Sequence, residues 1–217
     1  MSTPASTSER PKWVAPFFHS ADQQLSAANL GMWLFIAQEI LFFAGLFMAY
    51  IAYRWMYPET WLSAAEVLDK NLGAANTVVL LTSSLTMVFA VRELEMNRIK
   101  NSIMYLWITI GCACIFLVVK YFEYTHKFHL GIFPGGHYTS DTVEGMAGLF
   151  FGIYFAATGL HAIHVIIGIG LLAWLAFKVK AKEVTKENYA LMENIGLYWH
   201  LVDLVWIFLF PMLYLVK

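Results

Sequence analysis

Five long apolar runs, at about residues 28–53, 74–91, 101–122, 145–177 and 194–216, constrain this chain more than anything else in its sequence. A bilayer core of roughly 30 Å is crossed by about 20 helical residues at ~1.5 Å each, and every run approaches or exceeds that length. The runs are apolar all round, whereas barrel strands alternate apolar and polar over about ten residues. The expected fold is therefore all-α: a polytopic membrane protein with a bundle of five transmembrane helices over residues 28–217, preceded by a polar cytoplasmic tail at 1–27.

Composition agrees with that reading and narrows the function. Hydrophobic residues make up 59% of the 217 and charged residues only 13%, far from a soluble average. A net charge of −1 offers nothing basic for nucleic acid. The opening "MSTPASTSERPKW" has neither the apolar core nor the cleavage site of a secretory signal. Cys112 and Cys114, two apart on a helix, point about 200° from each other and can neither bridge nor chelate together. No Gly-rich phosphate loop, copper or haem attachment spacing, or nucleophile beside a base occurs, so no reaction centre is expected in this chain.

Lys and Arg counts set an expected orientation. The tail, second loop and fourth loop together carry nine, whereas the opposite side carries Arg54, Lys70, Lys127 and Lys217. By the positive-inside rule the N-terminus is cytoplasmic and the C-terminus outside. Trp13, Trp55, Trp61 and Trp199 fall near the expected boundaries, as interfacial aromatics do. The fourth run, 33 residues or about 50 Å as one straight helix, must tilt or begin outside the hydrocarbon. In it Gly148, Gly152 and Ala156 form a small-residue stripe that admits a neighbouring helix.

Polar groups inside the spans are the candidate functional residues. Glu39 lies at the centre of "GMWLFIAQEILFFAGLFMAY", whose other nineteen residues are uncharged. Phe35, Phe42, Phe43 and Leu46 share its helical face, so its own helix supplies no partner. Ionised and alone it costs several kcal/mol, so it is expected to be protonated or paired with a group from another helix or chain. His161 and His164, one turn apart in "TGLHAIHVIIG", admit four readings: metal ligands, haem ligands, a proton-linked pair, or neutral histidines bonded to neighbouring helices. Ala157 and Gly168, four residues away on either side, suggest that this face abuts another helix. His200 and Asp203 in "YWHLVDLVW" are expected to contact each other. Lys120, Glu123 and Tyr124 end the third run, where charge pairing or snorkelling is the leading reading. His126, His129 and His137 share the next loop, a weak pattern for a metal.

These stretches, with "NTVVLLTSS" and in this order, resemble subunit III of the haem-copper terminal oxidases, the cytochrome c and quinol oxidases, over about residues 28–214. The chain is similar to the five-helix bacterial form, lacking two N-terminal helices of seven-helix members. It also reads Phe89, Ala90, Val91, Arg92 where many members carry a His-containing Trp-Ala motif. The resemblance implies an accessory, non-redox subunit of a bacterial inner-membrane oxidase that reduces oxygen to water coupled to proton translocation. Haem and copper are expected in partner subunits and none in this chain. Expected partners are subunit I above all, subunit II and other small subunits, with phospholipid in a V-shaped cleft. Support of proton uptake and protection from turnover inactivation follow from the same resemblance. Glu39 falls on the family's carbodiimide-reactive glutamate, and Glu123, His161, His164, His200 and Asp203 on its recurrent polar positions. Two alternatives remain at this point: a haem-bearing anchor using His161 or His164, and a stand-alone transporter using Glu39.

Overall fold

The computed structural model describes residues 13–132 and 147–216. Among these the chain forms six helices and no strand: α1 (Ala21–Met56), α2 (Pro58–Glu66), α3 (Lys70–Glu95), α4 (Ile99–His129), α5 (Ala147–Lys180) and α6 (Ala190–Tyr214). All but α2 are long and apolar enough to cross a membrane.

Local chemistry places the helix ends. Ser20 caps α1 by accepting from the Gln23 N–H, and Asp69 caps α3 by accepting from Asn71 and Leu72. Pro58 opens α2 at a position where its missing N–H costs nothing. Between α3 and α4, Asn97 takes φ 60°, and the Arg98 N–H returns to the Glu93 carbonyl. This tight turn makes α3 and α4 an antiparallel hairpin, bonded across by Ser102 Oγ to the Ala90 carbonyl (2.8 Å) and by Thr86 to Thr109 (2.7 Å).

Helices α3, α4, α5 and α6 contact one another in sequence around a closed ring, and α1 leans on α5 and α6 from outside. Phe116 of α4, His161 of α5 and Trp206 of α6 fill the ring at 4.9–5.4 Å between ring centroids. The closest approach is at Gly168, where an added Cβ would lie 2.6 Å from Trp199 Cζ3. Helix α1 is the outlier: only 11% of its apolar window is buried, against 56% for α6.

Three expectations change. α1 begins at Ala21, inside the stretch read as tail. α4 continues to His129, so Lys127 belongs to the helix and is 3% exposed; it pairs with Glu123, a carboxylate shared with Lys120, so these charges lie inside the protein and do not mark a span end at 122. Trp61 and Trp199 are fully buried core residues, because α2 folds Trp61 against Phe150 and Gly168 admits the Trp199 ring; Trp55 does stand exposed. Both cysteines are free. In the small-residue stripe, Gly148 and Gly152 are half-buried and Ala156 is exposed.

Candidate functional site

Glu39 meets His164 across the α1–α5 contact. Its Oε2 lies 3.0 Å from His164 Nε2, and the two side chains are 11% and 16% exposed. His164 Nδ1 lies 2.8 Å from the Leu160 carbonyl oxygen, which can only accept, so Nδ1 carries hydrogen. One further proton then sits between Oε2 and Nε2. Either a carboxylic acid donates to Nε2, or an imidazolium donates to a carboxylate; both arrangements are neutral as a pair. Phe43 packs edge-on to the imidazole, and Tyr198 of α6 donates to the His164 carbonyl. The pair lines an apolar recess of about 390 Å³ with Met32, Phe35, Ile167 and Leu171.

His161 does not join it. It is fully buried between Phe116 and Trp206, and neither nitrogen has a hydrogen-bond partner among the described residues. With both His164 nitrogens engaged and His161 enclosed by aromatic rings, the pair is not arranged as two ligands to a common centre. Among the described residues no three or more His, Cys, Asp or Glu groups lie close enough to hold a metal ion. His126 and His129 are exposed at the end of α4, and His137 lies outside the described residues.

The expected His200–Asp203 contact is not made. Each is drawn instead to the serine it faces on α3: His200 Nδ1 lies 2.6 Å from Ser84 Oγ, and Ser83 Oγ donates to Asp203 Oδ2 at 3.2 Å. Trp199 Nε1 donates to Ser83, completing a buried link between α3 and α6. Asp203 Oδ1 has no partner among the described residues.

At the other end of the bundle lies the most connected polar group. Glu123 Oε1 accepts from Lys127 (2.8 Å), Tyr154 (2.8 Å) and Tyr214 (2.7 Å), and Oε2 accepts from Lys120 (2.9 Å). Lys120 also donates to Tyr214 at 2.6 Å and lies 4.7 Å from the Trp206 ring centre. Lys127, Tyr154 and Tyr214 escaped the sequence reading. The 120, 123, 127 spacing, which puts three charges on one helical face, was the available signal. The tyrosines on α5 and α6 gave none.

The cluster joins α4, α5 and α6, the serine link joins α3 and α6, and Glu39–His164 pins α1 to α5. Two of the three are ties within the ring and the third is a neutral pair beside an apolar recess. These contacts form a polar scaffold between helices; the one hydroxyl–imidazole contact among them, Ser84 with His200, ties α3 to α6.

Comparison with known proteins decides the family. Residues 19–217 match the family described as cytochrome c oxidase subunit III. The chain is 31% identical over 187 residues to "Cytochrome c oxidase subunit 3" of Alkalihalophilus pseudofirmus, covering 86% of this chain and 85% of the relative. The chain belongs to the cytochrome c oxidase subunit III family. It is also 31% identical over 196 residues to "Heme-copper oxidase subunit I+III" of Aeropyrum pernix, 85% of this chain but 22% of that one. Against "Cytochrome c oxidase subunit 3" of Lachancea kluyveri it is 28% identical over 194 residues and spans 66% of the relative's length. As a subunit III it is a multi-pass accessory subunit of a haem-copper oxidase, an oxidoreductase complex of the respiratory chain, and carries no catalytic centre itself. The haem-anchor and transporter alternatives are not favoured.

Proposed function

We propose that this chain docks on subunit I of a bacterial inner-membrane oxidase, with subunit II and smaller subunits nearby, and sustains the complex during turnover. The family match over residues 19–217 is the observation that carries this reading. The relative named subunit I+III supports the choice of subunit I, since the two are one chain there. The uncovered surface of α1 supports a partner as well. Gln38 stands exposed near the middle of that helix, and no hydrogen bond to its amide is found among the described residues. An amide facing hydrocarbon alone costs several kcal/mol, so a polar group from a neighbour belongs there.

Haem and copper sit in the partner subunits, and phospholipid occupies the slot between α1 and α6, where the recess beside Glu39 and a larger cavity of about 650 Å³ share Asn194. The nine-to-four charge count puts the N-terminus in the cytoplasm and the C-terminus outside. Glu39, His164, His200, Asp203 and Glu123 act as structural ties that keep this surface in shape, and the effect on proton uptake is exerted through subunit I. The test is to strip this chain from the purified oxidase with detergent. The account expects haem content and initial turnover to survive while proton uptake slows and inactivation comes after fewer turnovers. Unchanged endurance would contradict it.

A further inference from the structure

A groove on the opposite side of the bundle, between the first turns of α4 and the last turns of α5, has no part in that reading. It measures about 430 Å³ and is lined by Lys100, Ile103, Trp107, Ala176, Phe177 and Lys180. Its two components differ sharply. The rim carries Lys100 and Lys180, both exposed, and neither forms an ion pair among the described residues. Neighbouring charges are satisfied elsewhere: Lys178 pairs with Glu183, and Glu93 takes Arg98 and Asn101. Below the rim the wall is apolar, with Trp107 and Phe177 meeting edge to face at 6.4 Å and 85° while remaining 48% and 61% exposed.

We infer that this groove is a seat for one anionic phospholipid, its phosphate between Lys100 and Lys180 and an acyl chain along Ile103, Trp107 and Phe177. Charge complementarity selects the ligand: two uncompensated ammonium groups over an apolar slot at a membrane boundary match a net-negative headgroup on a hydrocarbon tail, whereas a zwitterionic headgroup brings its own cation to the rim. Both lysines lie on the side rich in positive charge, where juxtamembrane basic residues attract anionic lipid. The lipid would wedge the α4 and α5 ends together, on a face remote from the α1–α6 slot. The residues that line the site all belong to this chain.

Native mass spectrometry of the purified complex tests this. The delipidated complex is offered equal amounts of dioleoyl phosphatidylglycerol and dioleoyl phosphatidylcholine, and the retained lipids are counted. Two near-surface lysines should give one retained phosphatidylglycerol a roughly 30-fold preference over phosphatidylcholine. The double substitution Lys100→Gln/Lys180→Gln should remove that preference, Lys100→Arg/Lys180→Arg should keep it, and Lys178→Gln/Lys182→Gln, the same change of charge next door, should leave it intact. Equal retention of the two lipids by the unaltered complex, or an undiminished preference after the Gln double substitution, overturns the inference. So does an equal loss in the Lys178/Lys182 control, which would mean diffuse charge, or displacement by excess inorganic phosphate, which would mean a phosphate site without a lipid.

Discussion

Glu39 and His164 act as one unit, because the Leu160 carbonyl fixes the donor on Nδ1 and leaves one proton for the contact between the residues. Glu39→Gln should preserve a hydrogen bond, its amide donating to a neutral Nε2, and so keep α1 seated. Glu39→Ala leaves Nε2 facing an apolar recess. A double-mutant cycle of Glu39→Ala with His164→Ala, read by denaturation of the complex in mixed detergent, should give a coupling of about 1 kcal/mol, in the range of hydrogen bonds measured inside membranes. Coupling near zero would mean that the contact contributes nothing. The sequence showed that Glu39 needed a partner from another helix or chain. It could not pair Glu39 with His164, since 125 residues separate the two and helix order around a ring is not written in any local pattern. The same limit misdirected the reading of His200 and Asp203. Their one-turn spacing permits a mutual contact, but Ser83 and Ser84 on α3 lie within bonding distance of each.

Among elements, the contact between α5 and α6 depends on Gly168, because a Cβ there would press into the Trp199 ring at 2.6 and 2.8 Å. Gly168→Ala should destabilise the bundle by about 1–3 kcal/mol through overpacking. Gly170→Ala, two residues on with nothing within 4 Å of the added carbon, should cost nothing in the same denaturation assay. A second prediction concerns the tie between α4, α5 and α6. Glu123 is 5% exposed and compensates two buried lysines, so Glu123→Gln should cost about 3–5 kcal/mol, well above Glu39→Gln, and should lower assembly yield. Equal yields would show that the lysines find other partners. This cluster also explains why helices were legible and their ends were not. Span existence follows from apolar length, which survives any packing arrangement. The end of α4 was misplaced because charges that normally mark a boundary are here paired inside the protein. Helix α2 was missed because nine residues with one Pro at the start give too short a pattern, and its place is set by Trp61 reaching Tyr50 and Phe150.

For the whole molecule, α3–α6 pack on one another around the ring while α1 is held by few ties, among them Glu39–His164 and the Tyr50 hydroxyl donating to the Met212 carbonyl. Orientation is tested by thiol labelling: a cysteine at 182, in the turn between α5 and α6, should react only with reagent on the cytoplasmic side, and one at 59, on α2, only from outside. The reverse pattern would invert the topology. The central claim is that this chain is a non-redox subunit docked on the catalytic subunit of an oxidase. The most direct measurement is affinity purification through a tag on this chain from native membranes, with native mass spectrometry and a visible spectrum of the product. The account predicts a one-to-one complex with a haem-bearing subunit I, whose spectrum is unchanged by His161→Ala or His164→Ala. A chain that purifies without subunit I, or a Soret band lost on replacing either histidine, would contradict it.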